Sequence, residues 1–153
     1  MILNYKDLKS TIMPNKSNTI ETLRTSGLRP TKQRVQLAKF LFDRDKTFHF
    51  NVEDLHKTIN LKNNKKISLA TIYNTVHAFK NAGYLKEILI RNNKSFFDTN
   101  TKVHHHFFDE KNNLLTDVSA EEISIKKIPS PPAGKFIKQV EVIINIANDN
   151  QKQ

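Results

Sequence analysis

Three of the chain's six histidines stand together as His104-His105-His106, inside a run patterned like a strand. Successive strand side chains point to opposite faces, so His104 and His106 share one face and His105 takes the other. Two imidazoles at that spacing can bind one ion, although an exposed polar cluster explains the triplet equally well. Further donors must come from elsewhere. Asp98 ends a predicted strand, Asp117 lies on the strand facing the triplet, and His49 immediately precedes a predicted helix. A site using all five would tie two regions of the chain together. Imidazole and carboxylate donors suit Zn²⁺, Fe²⁺ or Mn²⁺, and spacing does not choose among them. With no cysteine present, disulfides and thiolate zinc sites are excluded.

A second group of residues suits contact with nucleic acid. In the stretch beginning at Ser68, the apolar positions Leu69, Ile72, Val76 and Phe79 recur at helical spacing. That leaves Ser68, Ala70, Thr71, Tyr73, Asn74 and His77 on or beside the outward face. Alanine and threonine can meet a thymine methyl, and asparagine can pair with adenine. Lys32, Arg34 and Lys80 are candidates for holding phosphates, which position a protein without reading sequence. Singly, each is better explained by a solvated helix face. The net charge of +10, from 25 Lys+Arg against 15 Asp+Glu, concentrates the chain on polyanions and makes double-stranded DNA the leading partner. A lysine-rich composition by itself would give the same balance.

The elements that must position these residues follow from periodicity and punctuation. Ile20 and Leu23 before Gly27 predict a short first helix; Thr31 opens a second, with Val35, Ala38, Leu41 and Phe42 on one face. Asn51 opens a third with Glu53 and Asp54 at its positive end and Val52, Leu55 and Ile59 as its stripe. Beyond the polar loop 62–66, Ser68 caps a fourth that Gly83 ends. Residues 84–90 and 94–98 flank the turn Arg91-Asn92-Asn93 and predict a hairpin. Helices followed by a hairpin give a winged helix. Strands are predicted over 103–108 and 114–118 around Lys111-Asn112-Asn113, then a short helix over 120–127, a proline-rich break, and an alternating strand over 138–146.

The expected fold class is α+β: an N-terminal winged-helix DNA-binding domain (19–98) followed by a small α/β dimerisation and metal- or haem-sensing domain (99–147). A flexible N-terminal tail (1–18) and a C-terminal tail (148–153) complete it. So small a sheet buries little alone, so a homodimer is expected. No apolar run approaches the roughly 20 residues of a membrane span, and no export signal is evident, so the cytoplasm is the expected compartment and no membrane partner is implied.

Leu28-Arg29-Pro30-Thr31-Lys32-Gln33-Arg34, Val52-Glu53-Asp54-Leu55, Ser68-Leu69-Ala70-Thr71-Ile72-Tyr73-Asn74-Thr75, Ala82-Gly83-Tyr84-Leu85 and Phe97-Asp98 ahead of the triplet resemble the ferric uptake regulator superfamily in order and spacing. Asn74 and the unbroken His104-His105-His106-Phe107-Phe108 look like its iron response regulator branch. The resemblance implies an interdomain sensor site at His49, Asp98, His104, His106 and Asp117, and a triplet His104, His105 and His106 that is a candidate haem ligand. It further implies operator binding as a dimer, control by haem or a haem-delivering protein, and DNA binding when iron is scarce.

Three departures stand out. The family's Cys-x-x-Cys zinc pairs are absent, so dimer stability must come from apolar burial. The family's second histidine-and-acid site lacks a full match, with Val103 at one ligand place; the Cys-Pro haem motif of some relatives is also missing. An alternative regulator is an Fe²⁺-corepressed or peroxide-sensing relative, since Asp117 is the acidic ligand type that peroxide sensors favour. Two other classes remain: a haem or metal carrier without DNA binding, and a metalloenzyme. No catalytic motif supports the last, so no enzyme is expected.

Overall fold

The fold is seen in a computed structural model that describes residues 18–61 and 65–149. The expected N-terminal tail lies outside the described residues except for Asn18, as does the C-terminal tail except for Asn148 and Asp149. The chain divides into two compact units, with the boundary after Thr101.

In the first unit, helices α1 (Thr19–Thr25), α2 (Lys32–Phe42), α3 (Val52–Leu61) and α4 (Leu69–Asn81) start where side chains can satisfy their first amides. Asn18 accepts from the Glu21 amide at 3.2 Å, Thr31 from Arg34 at 3.3 Å, Asn51 from Asp54 at 2.8 Å and Ser68 from Thr71 at 3.2 Å. Such caps contribute about 1 kcal/mol each. Gly27 and Gly83 terminate α1 and α4 at φ +74° and +83°, a region in which a Cβ is costly. The chain then folds back: the Leu28 amide donates to Leu23 O at 2.8 Å and Tyr84 to Phe79 O at 2.9 Å.

Strands β2 (Lys86–Ile90) and β3 (Lys94–Asp98) form the expected hairpin, joined by a 3₁₀ turn over Arg91–Asn93 in which Asn93 takes φ 57°. A two-residue strand, β1 (His49–Phe50), adds to β3 on its other side, giving the order β1-β3-β2. Leu23, Leu37, Leu41, Ile72, Val76, Phe79 and Phe97 fill the core beneath. Two stripe residues face outward instead: Ile20 and Leu69 are exposed, and Leu37 and the threonines Thr19 and Thr22 are buried.

The second unit is a three-stranded sheet in the order β5-β4-β6, with β4 (His104–Asp109), β5 (Leu114–Ser119) and β6 (Ile143–Ile146). β5 runs antiparallel to β4 with His106 opposite Asp117, and β6 runs parallel to β4 with His106 opposite Ile143. Here the sequence expectations need correcting. The helix over 120–127 is reduced to one 3₁₀ turn, Ala120–Glu122, closed by a Ser119–Glu122 capping box. Too short to sustain itself and carrying two β-branched isoleucines, the segment leaves helical geometry at Ile123. The strand over 138–146 pairs only from 143, because the rest serves the crossover that a parallel pair requires. No helix among the described residues is long and apolar enough to cross a membrane.

Candidate metal centre

Within the first unit, β1 exists to the extent of two residues, yet it sets His49 opposite Asp98 across the β1–β3 pair. His49 Nε2 lies 3.3 Å from Asp98 Oδ2, with the two side chains 12% and 0% exposed. Asp98 Oδ1 accepts the Asn100 amide at 2.7 Å, which fixes the carboxylate at the strand end. Neither residue is the solvated surface group that a lone histidine before a helix suggests.

Within the second unit, alternation along β4 brings the His104 and His106 rings together, with centroids 4.5 Å apart. Cross-strand register adds Asp117, whose Oδ1 is 3.5 Å from His104 Nε2 and 3.9 Å from His106 Nε2. One ligand atom from each of these three lies within 4.8 Å of the others. All three histidines of the triplet are buried, which excludes the exposed-cluster explanation. His104 Nδ1 sits 2.8 Å from the Lys102 carbonyl, which only accepts, so Nδ1 carries the proton and Nε2 presents a lone pair. His105 is arranged the other way: its Nδ1 accepts the Val142 amide at 3.2 Å. Of the three candidate haem ligands, His105 therefore turns its Nδ1 into the sheet.

The donor set fits a divalent ion. Lone pairs on nitrogen and carboxylate oxygen repel unless a cation or proton lies between them. Tetrahedral ligation at about 2.0–2.1 Å places neighbouring donors about 3.3–3.4 Å apart. The 3.3 and 3.5 Å separations match that spacing and exceed the usual hydrogen-bond distance of about 2.9–3.0 Å. Sequence reasoning missed Glu141, whose Oε1 lies 3.1 Å from His106 Nδ1. Its signal was available: it is the one carboxylate between Glu122 and Asp149, on the polar side of an alternating strand.

The expected DNA-facing residues lie on α4 and its surroundings. Ala70, Tyr73, Asn74 and Lys32 are exposed; Thr71 and His77 are half-buried; Ser68 spends its oxygen on the cap. Tyr73 donates to Glu53 Oε1 at 2.6 Å, and this hydrogen bond, with lesser help from burial and from the Glu53 charge, lifts the phenol above its ordinary pKa. The His77 ring stacks on Tyr73 and meets Phe97 edge-on at 5.7 Å. Two cations assigned to phosphates have partners inside the unit. Arg34 Nη1 donates to Arg29 O at 2.8 Å, and Lys80 Nζ donates to Glu87 Oε2 at 2.7 Å. Ser95 completes the grip on Glu87, whose carboxyl is held below the usual range chiefly by Lys80. These bonds tie α4 to the hairpin.

Four helices with a β wing, followed along the chain by a sheet unit bearing buried histidines, define a winged-helix protein with a candidate metal-ligand cluster. The sequence pattern of the Ferric uptake regulator family matches residues 25–143, and the chain belongs to that family. It is 34% identical over 113 residues to the ferric uptake regulation protein of Rhizobium leguminosarum bv. viciae, covering 72% of this chain and 78% of that one. It is 33% identical over 99 residues to the peroxide-responsive repressor PerR of Staphylococcus epidermidis, covering 65% of this chain and 64% of the repressor. The ferric uptake regulator of Pseudomonas aeruginosa, solved with manganese, shares the fold at a TM-score of 0.64 and 20% identity, over 86% of this chain and 98% of that one. These relatives are regulators and a repressor, not enzymes.

Proposed function

We propose that the chain is a metal-responsive, DNA-binding transcription regulator of iron homeostasis, acting in the cytoplasm as a homodimer. His49, Asp98, His104, His106 and Asp117 would hold one divalent ion. The observation carrying this reading is that, within each unit, imidazole and carboxylate donors converge at ligand spacing, with Asp98, His104 and His106 buried, His49 half-buried and Asp117 exposed. When bound, the ion supplies a positive centre for donors on both sides of the boundary at Thr101. The residues themselves do the rest. His104 and His106 present Nε2 from a rigid strand, and Asp98 is anchored by the Asn100 amide. Ligands drawn from both units would restrict the 99–103 segment and thereby the spacing of the two α4 helices of a dimer. Half-sites recur at about 34–36 Å per DNA turn, so that spacing decides whether both helices fit. Ala70, Thr71, Tyr73, Asn74 and His77 face bases, and Lys32 faces phosphate. The exposed Phe107, Phe136, Ile144 and Ile146 of the second unit favour burial against a second copy.

The finer reading is the iron response branch, supported by Asn74 and by the unbroken histidine triplet, with haem or a haem-delivering protein as effector. The relatives among ferric uptake regulation proteins and PerR repressors support a second reading, an Fe²⁺-corepressed or peroxide-sensing regulator. Operator binding followed by fluorescence anisotropy, with Fe²⁺ and haem added separately, tests both. Release on haem addition is expected. Tightening by Fe²⁺ with no haem effect moves the protein to the second reading, and the absence of salt-sensitive duplex affinity overturns both.

A further inference from the structure

We infer that Glu53 is a positioning residue of the DNA-facing surface, anchoring the hydroxyl of Tyr73 so that the phenol ring is offered to the major groove in one orientation. This deepens the DNA-binding reading and rests on it.

Two packed helices supply the contact. Glu53 stands in the first turn of α3, where the partial positive charge of the helix end favours a carboxylate, and Tyr73 lies in α4. Tyr73 is 37% exposed, and its hydroxyl donates to Glu53 Oε1 at 2.6 Å. That length falls in the range of about 2.5–2.7 Å expected for a hydroxyl bonded to an ionised oxygen. On its face the ring stacks with His77, one turn further along α4, at 6.2 Å between centroids and 13° between planes. His77 in turn meets Phe97 edge-on, and Phe97 is a buried core residue of β3. A surface tyrosine that would otherwise sample several rotamers is therefore held at its tip and along its face. Its proton is spent on Glu53, so the ring edge and a hydroxyl lone pair are what remain for a base. A carboxylate near a polyanion weakens binding to every duplex alike, whereas a ring held in one pose favours one base at one position. Glu53 thus lowers general affinity and raises selectivity, two effects of opposite sign that substitution separates.

The test uses full-length protein and a duplex that the wild type selects from a randomised DNA library, compared with a scrambled duplex of the same composition. Glu53→Ala should lower the preference for the selected duplex about tenfold, while binding the scrambled one no more weakly than wild type does. Selection repeated with Glu53→Ala and with Tyr73→Ala should relax the base preference at the same position. Glu53→Gln, which keeps an oxygen for the hydroxyl and sheds the charge, should retain the preference and tighten both duplexes. In protein labelled with ¹³C-tyrosine, the Tyr73 phenol should titrate above its ordinary pKa in wild type, raised chiefly by the Glu53 hydrogen bond, and return to it in Glu53→Ala. Equal tightening of both duplexes by Glu53→Ala would make Glu53 a repelling charge only, overturning the inference and leaving the DNA-binding reading intact. Relaxation by Glu53→Ala at a position that Tyr73→Ala leaves unchanged overturns it too. A wild type that selects no sequence overturns the DNA-binding reading and the inference with it.

Discussion

Substituting His104 and His106 together by alanine should weaken Co²⁺ or Mn²⁺ binding by more than about 100-fold, since loss of an outer partner alone costs about 10–100-fold. Both rings are buried, and both turn Nε2 toward Asp117. The pair thus removes two donors and leaves Asp117 with no imidazole opposite it on β4. Helix α4, the proposed DNA-facing helix, belongs to the first unit, which carries neither substitution. The variant should therefore keep salt-dependent affinity for duplex while its operator binding no longer responds to the ion. Chelator competition gives the first quantity and anisotropy with and without metal gives the second. A variant that binds and responds like wild type would remove the sensor assignment.

Phe79→Ala should be the most damaging change in the first unit. Phe79 is 0% exposed and meets Phe42 edge-on at 5.5 Å, so truncation leaves a large cavity beneath α4. Such substitutions cost about 3–5 kcal/mol. Domain stabilities are about 5–15 kcal/mol, so the loss is a large share of what holds the unit together. The thermal midpoint should fall by more than about 12 °C, with DNA binding lost as the helix leaves its seat. Calorimetry checks the midpoint; a shift of a few degrees would mean that Phe79 does not anchor the core.

Local chemistry explains what could be read from the residues. Asn18, Thr31, Asn51 and Ser68 start helices because each offers an oxygen to an amide within its own turn. Gly27 and Gly83 end them because the chain needs positive φ there. The hairpin and the pairing of His104 with His106 follow from turn residues and from strand alternation, again over a few positions. Partners from afar were hidden. β1 is too short to leave a pattern, and its pairing with β3 depends on a strand nearly fifty residues on. Lys80 looks like a free phosphate contact until the fold supplies Glu87. Glu141 reaches His106 only through a parallel crossover that no short-range signal encodes. The helix over 120–127 failed for the opposite reason: a cap was present, but no buried face rewarded continuing it.

Titration of Co²⁺ into the full-length chain, wild type against Asp98→Ala, bears most directly on whether one ion recruits ligands from both units. The account predicts saturation at one ion per chain in wild type and a loss of affinity in Asp98→Ala comparable to that in His106→Ala. Unchanged affinity and absorption in Asp98→Ala, with His106→Ala impaired, would confine the ion to the second unit and contradict the account.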